Sequence, residues 1–384
     1  MSFEFATATR VIFGPGSAAQ VIHAAQGLGR RALVVTGRHP TRAQTLIDAF
    51  AASGFEPVCF AAPPEPSLDT ARAGVAEAET HGCDLVVAIG GGSAIDVGKA
   101  IAALVTNGGD PLDYLEVIGA GRPLTQPSLP MIALPTTAGT GSEVTRNAVL
   151  ESPAHHVKVS MRSASMLPRV AIVDPALTLG LPPAVTASTG LDALTQLIEP
   201  FVSHRANPLV DAIVRVGMPR AAGALRRAYH NGEDLSARTD MALASLCGGM
   251  ALANAGLGAV HGFAAPIGGM FGAAHGAACA ALLPHVMAVN LGALQARAAD
   301  NPARARYAEI ARLLTGHDTA TAADGIAWVQ ALVADLHIPR LATYGITTGD
   351  FDRIIPRARA ASSMGGNPII LTDEELTEIL VRAL

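Results

Sequence analysis

The segment Asp84-Leu-Val-Val-Ala-Ile89 runs straight into Gly90-Gly91-Gly92-Ser93, and helical spacing resumes from about Ala94 to Val105. An apolar run of this kind, bounded by glycine, reads as a strand buried on both faces. A buried strand that turns through glycine into a helix opens a βαβ unit, and a parallel sheet built from such units needs helices on its faces. Three glycines let the backbone approach an anion, and the free amides and dipole of the helix start favour a phosphate there. The turn is not GxGxxG, and no Lys-Ser/Thr pair follows as in a Walker loop, so turn chemistry alone does not name the ligand. Lys99, two turns into the helix, is expected to be a solvated or inter-element charge and not a phosphate ligand.

The same alternation extends over the first 180 residues. Arg31–Thr36, Val58–Phe60, Met131–Leu134 and Val170–Val173 read as strands, and Thr41–Ser53 and Leu68–His81 as helices, with a turn at Pro63-Pro-Glu-Pro66. Phe3–Ile12 alternates weakly and suits a strand that pairs with a partner subunit. After Asp174-Pro175 the pattern changes. Leu181-Pro-Pro183 reads as a hinge, and the rest is helix rich in Ala, Leu and Gly. A chain of 384 residues exceeds one ordinary core. The expectation is an α/β domain with a parallel sheet over residues 1–180 and an all-α domain over residues 181–384.

A net charge of −5 without a basic stripe excludes a nucleic-acid footprint. The N-terminus lacks the pattern of a signal peptide. Leu243–Leu291 is almost uncharged, but clustered glycines, Pro266, Pro284 and three histidines fit closely packed buried helices better than a membrane span. Cys59, Cys83, Cys247 and Cys279 lie far apart and read as buried thiols, so the expected location is the cytoplasm, with no membrane partner.

Two further segments carry chemistry. Pro135-Thr136-Thr137-Ala138-Gly139-Thr140-Gly141-Ser142-Glu143 follows a buried strand with three threonine hydroxyls and two glycines. Two anion-friendly loops at strand carboxyl ends favour a dinucleotide over a mononucleotide. In the helical half, His261 and His275 stand fourteen residues apart, and Asp192 and Gln196 stand at i and i+4, on one helix face. One carboxylate and two imidazoles make a plausible divalent-metal set, with Gln196 where a third imidazole would complete it.

These residues resemble the iron-containing (group III) alcohol dehydrogenases, as a subgroup with Gln in place of one ligand His. The likeness rests on Gly82-Cys-Asp-Leu-Val-Val-Ala-Ile-Gly-Gly-Gly-Ser-Ala-Ile-Asp96, Pro135-Thr-Thr-Ala-Gly-Thr-Gly-Ser-Glu-Val-Thr145, Gly190-Leu-Asp-Ala-Leu194 and Asn367-Pro368 ahead of a final helix. It implies a Rossmann-like domain, a helical metal-bearing domain, and a cleft between them for NAD(P) and a small alcohol or carbonyl substrate, in a homodimer. By this resemblance Gly91, Gly92 and Ser93 hold the pyrophosphate and Thr136, Thr137 and Thr140 line the cofactor cleft. Asp96 joins the cofactor set, and Lys158 reaches the nicotinamide ribose. Asn147 falls on the substrate side, and Phe263, with Phe201, Met250 and Met270, suits an apolar wall or plain core. Relatives that prefer NAD often carry an Asp after the first strand. Here Gly37 stands there beside Arg38, which removes the repulsion of a 2′-phosphate and suggests that NADPH is accepted or preferred.

The metal is expected on Asp192, Gln196, His261 and His275, as Fe²⁺ or Zn²⁺. A neutral amide is a weaker donor than imidazole, so Gln196 leaves open a subgroup without metal, in which Gln196, His261 and His275 act on the substrate oxygen as hydrogen-bond donors. Ala265 occupies the place of a histidine that many relatives use in proton transfer. His155 and His156 are near Lys158 in sequence but read as surface histidines. The reaction implied is hydride transfer between nicotinamide and an alcohol carbon, with His261, His275 and Lys158 as catalytic side chains and the metal as Lewis acid. A maleylacetate-reductase-like oxoacid reduction is the nearest alternative. A dehydroquinate-synthase-like lyase would need more cations near the ligands than Arg205, Arg215, Arg220, Arg226, Arg227 and Arg238 provide.

Overall fold

The computed structural model describes residues 2–155 and 157–384, with Arg42 by its backbone alone. Its contacts divide the chain into two units. The first comprises Thr7–Thr137 and Gly141–Thr178, and the second Ala138–Thr140 and Leu179–Leu384 together with the N-terminal residues up to Ala6.

The first unit is built on strands β1 (Arg10–Phe13), β2 (Arg31–Thr36), β3 (Glu56–Ala61), β4 (Leu85–Gly90), β5 (Met131–Pro135), β6 (Asn147–Ser152), β7 (Val157–Arg162) and β8 (Val170–Val173). Six of these form one sheet in the order β1-β8-β5-β4-β2-β3, with every pairing parallel. Side chains alternate across it. Val34, Leu85, Val87, Ile132 and Leu134 join Val21 and Phe50 on one face, while Leu33, Val35, Val86, Ala88 and Ala133 join Ile95 and Ile101 on the other. The helices are α1 (Val21–Ala25), α2 (Gln44–Ala52), α3 (Leu68–Thr80), α4 (Gly92–Asn107) and α5 (Pro111–Tyr114). Ser67 caps α3 by accepting from the Thr70 amide at 3.1 Å. From β2 the chain moves to β3 on one side, then returns to β4 on the other. That reversal is a topological switch point, where open α/β sheets leave a crevice at the strand carboxyl ends.

The second unit is helical: α6 (Pro183–Val202), α7 (Pro208–His230), α8 (Leu235–Ala255), α9 (Ala259–Phe271), α10 (His275–Arg297), α11 (Ala303–Thr315), α12 (Ala322–Asp335), α13 (Phe351–Ala360) and α14 (Asp373–Ala383). α10 is long and apolar enough to cross a membrane, yet 78% of its apolar stretch is buried inside the protein. Leu282, Leu283, Val286 and Met287 pack there among the other helices, as in a core helix.

Three features add to the expectations, and one expectation needs correction. β1 is confined to Arg10–Phe13 and pairs with β8 of its own chain, at the edge of the sheet. Asn147–Arg162 forms an antiparallel hairpin, β6 with β7, whose first strand alternates partly and fully buried residues. Pro284 lies inside α10 without ending it, in the buried stretch Ala277–Pro284. Cys59 is exposed, since β3 is the edge strand of the sheet, whereas Cys83, Cys247 and Cys279 are buried.

Candidate cofactor loop and metal centre

At the switch point, Thr36 pairs in register with Ile89, and Gly90 with Pro135. The glycine turn, Gly37 and the threonine loop therefore share one end of the sheet. A Cβ on Gly90 would lie 2.6 Å from Ala94 Cβ and 3.3 Å from the Gly37 nitrogen, so glycine is required there for packing. At Gly91 the nearest atom to such a Cβ is Thr137 Oγ1 at 3.4 Å, an ordinary contact. Gly91 is the N-cap of α4 and has no side chain to offer the first-turn amides. The Thr136 amide donates to the Gly90 carbonyl at 2.9 Å, which ties the second loop to the first. Thr140 is held with the helical unit: a Cβ on the neighbouring Gly139 would lie 2.7 Å from Thr189 Cβ.

Behind the turn is a buried polar cluster. Lys99 is fully buried, and its ammonium donates to Ser142 Oγ at 2.7 Å, Thr145 Oγ1 at 2.8 Å and the Asn147 carbonyl at 2.8 Å. It is an inter-element charge and not a solvated one, and burial pushes its pKa down. Asp96 accepts from Ser142 Oγ and, at 3.0 Å, from the Val149 amide. Both carboxylate oxygens are thus engaged within the protein, and Asp96 shapes the loop from behind. Glu143, 2% exposed, is pushed up to about 7 by burial, against the pull of Lys99. Ser93 Oγ donates to the Pro64 carbonyl, and Lys158 Nζ pairs with the adjacent Glu65 at 2.5 Å. Lys158 therefore stands beside the glycine turn. Arg38 is exposed, and a Cβ on Gly37 would meet open space. His155 is exposed and bonded to Ser152 at 2.7 Å, and His156 lies outside the described residues.

In the helical unit, Asp192, Gln196 and Glu199 form one buried stripe on α6, at i, i+4 and i+7. His261 is in the first turn of α9, and His275 begins α10 with Cys279 one turn later. Asp192 Oδ1 lies 3.3 Å from His261 Nε2 and 3.7 Å from His275 Nε2, and Cys279 Sγ lies 3.8 Å from His275 Nε2. One donor atom from each of Asp192, His261, His275 and Cys279 falls within 4.8 Å of the others. Gly276 allows this approach: a Cβ there would stand 2.4 Å from the Ser188 carbonyl oxygen of α6.

Three buried atoms in this cluster have no hydrogen-bond partner: Asp192 Oδ1, Gln196 Oε1 and His261 Nε2. Each such atom costs about 1–3 kcal/mol if left so, and their convergence suits a cation. Burial would raise the Asp192 carboxyl, but the neighbouring imidazoles overcome it and hold it below its ordinary value. Burial likewise opposes ionisation of Cys279, and His261 and His275 draw that thiol down. Donors with this chemistry fit a divalent ion.

Glu199 and Cys279 were not among the expected site residues; helical spacing from Asp192 puts Glu199 on the same face, whereas Cys279, one turn after His275, read only as a buried thiol. Glu199 accepts from His261 Nδ1 and from the Val260 amide, both at 2.7 Å. Asn367 accepts from the Ala259 amide at 3.2 Å, so the Asn367-Pro368 motif caps α9. Phe263 needs correction as a substrate contact, for α9 turns it wholly into the helical core. Phe201 is equally buried, with Arg306 over its ring. Ala265, half-buried on α9, offers no proton-transfer group.

A switch-point sheet with an uncapped glycine turn suits a phosphate-bearing cofactor, and the buried carboxylate–imidazole centre suits a divalent ion, the two elements of a metal-assisted, cofactor-dependent enzyme. The comparisons agree. Residues 8–175 match the family model described as iron-containing alcohol dehydrogenase, and residues 186–384 match the C-terminal model of the same family. The 1,3-propanediol dehydrogenase of Klebsiella pneumoniae is 36% identical over 99% of this chain and 98% of its own length. Alcohol dehydrogenase 4 of Schizosaccharomyces pombe is 38% identical over 84% of this chain and 74% of its own. A solved 1,3-propanediol oxidoreductase superposes with a TM-score of 0.92 at 35% identity, covering all of both chains. The chain belongs to the iron-containing alcohol dehydrogenase family. It is an NAD(P)-dependent enzyme that interconverts an alcohol and its carbonyl compound with a divalent metal.

Proposed function

We propose that the enzyme acts on a small primary or secondary alcohol, with the metal on the α6–α9–α10 cluster and the dinucleotide on the sheet unit. Three unsatisfied buried atoms, Asp192 Oδ1, Gln196 Oε1 and His261 Nε2, carry this reading. Asp192, His261 and His275 hold the ion, and the Gln196 amide oxygen faces the same centre. The ion supplies a Lewis acid for the substrate oxygen. Glu199 fixes the His261 ring with its Nδ1 proton inward, which turns Nε2 to the ion.

On the sheet unit, the amides of Gly92 and Ser93 receive the pyrophosphate, and Gly91 lets it approach. Thr136, Thr137 and Thr140 line the dinucleotide, and Lys158 exchanges Glu65 for the nicotinamide ribose. Gly37 with exposed Arg38 supports acceptance of NADPH, because no carboxylate repels a 2′-phosphate. The functional domains are residues 1–180 and 181–384, and the enzyme works as a cytoplasmic homodimer.

The test is a screen of aldehydes, ketones and oxoacids with NADH and NADPH, on protein loaded with Fe²⁺ or Zn²⁺. Turnover of small aldehydes that falls on chelation supports the reading. Turnover of oxoacids alone would favour the maleylacetate-reductase-like alternative, and undiminished activity in fully demetallated protein would defeat the metal assignment.

A further inference from the structure

Cys279 has no role in the reading above, yet it is fully buried and one helical turn from His275, with its sulfur on the same centre. Ligand atoms of a tetrahedral site with bonds of about 2.0–2.3 Å lie roughly 3.3–3.6 Å apart. The separations here are 3.3 Å for Asp192–His261, 3.7 Å for Asp192–His275 and 3.8 Å for Cys279–His275. The remaining pairs lie within 4.8 Å, so an ion could draw on the sulfur with side-chain shifts of at most about an ångström.

We propose that the Cys279 thiolate is a metal ligand that takes over from the imidazole missing at position 196, and that it turns the centre into a zinc site. The inference rests on the metal reading above. Two lines converge on it. Gln196 is a neutral, hard, weak donor, which leaves three strong ligands, and among the described residues the further donor grouped with them is a sulfur. The charge also changes. Asp192 and a thiolate neutralise a dication, whereas Asp192 with three neutral ligands leaves it at +1. A soft anionic donor favours Zn²⁺ over Fe²⁺, and metal binding releases the thiol proton to solvent. A substrate oxygen would then be a fifth donor, an expansion that catalytic zinc tolerates.

Full-length protein loaded with Zn²⁺ or Co²⁺ tests this without reference to activity. X-ray absorption at the zinc edge should show a sulfur neighbour at about 2.3 Å. The cobalt form should show thiolate-to-metal charge-transfer absorption in the near ultraviolet, lost in Cys279→Ser and kept in Cys247→Ser. The preference for Zn²⁺ over Fe²⁺ should narrow by at least ~10-fold in Cys279→Ser. One equivalent of cobalt bound without that absorption, or absorption that survives Cys279→Ser, overturns the thiolate ligand and leaves the metal reading standing. Failure of the wild type to bind cobalt or zinc overturns both. The zinc-edge measurement on the wild type decides the matter even if the variant does not fold.

Discussion

Glu199 accepts a hydrogen bond from His261 Nδ1 at 2.7 Å, and its other oxygen accepts from the Val260 amide at the same distance. One carboxylate thus orients His261, the metal ligand proposed above, and caps the helix that carries it. Glu199→Gln should lower metal affinity about 10–100-fold, the usual cost of losing a partner behind a ligand. Glu199→Ala should add a stability loss of about 1–3 kcal/mol, because the Val260 amide loses its acceptor. Chelator competition and denaturant unfolding measure the two effects separately. Equal metal affinity in wild type and Glu199→Gln would refute the positioning role.

Gly91 separates folding from cofactor binding. A Cβ there meets only Thr137, at 3.4 and 3.5 Å, so Gly91→Ala should leave the melting temperature within a few degrees. The added methyl would stand where the proposed pyrophosphate approaches, and affinity for NAD(P)H should fall at least ~10-fold, about 1.4 kcal/mol. Titration of the nicotinamide fluorescence reads it, and unchanged binding would move the phosphate elsewhere.

On the proposed reading, cofactor choice turns on Gly37. Its backbone leaves open space for a side chain, so Gly37→Asp should fold normally. The introduced carboxylate would oppose a 2′-phosphate and accept from ribose hydroxyls. The NADPH-to-NADH ratio of kcat/KM should drop roughly 10–100-fold, which corresponds to about 1.4–2.7 kcal/mol. An unaltered ratio would place the adenosine ribose away from this residue.

Glu143 predicts a pH dependence of stability. Burial raises it from 4.5 to about 7, so between these values the folded state holds a proton that the unfolded state has lost. Stability from this group is fully present below pH 4.5 and is lost as pH rises through about 7. The total is on the order of 3 kcal/mol. Glu143→Gln should flatten that part of the profile, and it should gain on the wild type between pH 5 and pH 8. Parallel wild-type and variant unfolding curves across this range would show that Glu143 ionises as an ordinary carboxyl.

The alternation of strands and helices up to Val173 and the switch to helix after Pro182 were legible because each element's periodicity is local. The β6–β7 hairpin was less so, for Asn147–Ser152 alternates partly buried Asn147, Val149 and Glu151 with buried Ala148, Leu150 and Ser152, a short mixed pattern that reads as loop until it pairs with β7. Asp192, His261 and His275 could be chosen by ligand chemistry. Cys279 could not be assigned by spacing alone, because a buried thiol and a ligand thiol are the same residue in a sequence. Lys99 shows the reverse case, a charge whose burial no local pattern predicts, since its acceptors come from residues 142–147.

By itself the sequence determined the βαβ order, the glycine turn at Gly90–Gly92 and the residue types able to hold a phosphate and a cation. Periodicity and residue chemistry are properties of neighbours along the chain, and they survive without knowledge of the fold. Only the tertiary structure decided which donors meet. α6, α9 and α10 bring Asp192, His261, His275 and Cys279 within 4.8 Å, through a glycine at 276 that lets two helices touch. It also decided that Phe263 belongs to the core and Glu199 behind the histidine. Coordination depends on atoms a few ångströms apart in space, and packing alone sets that distance.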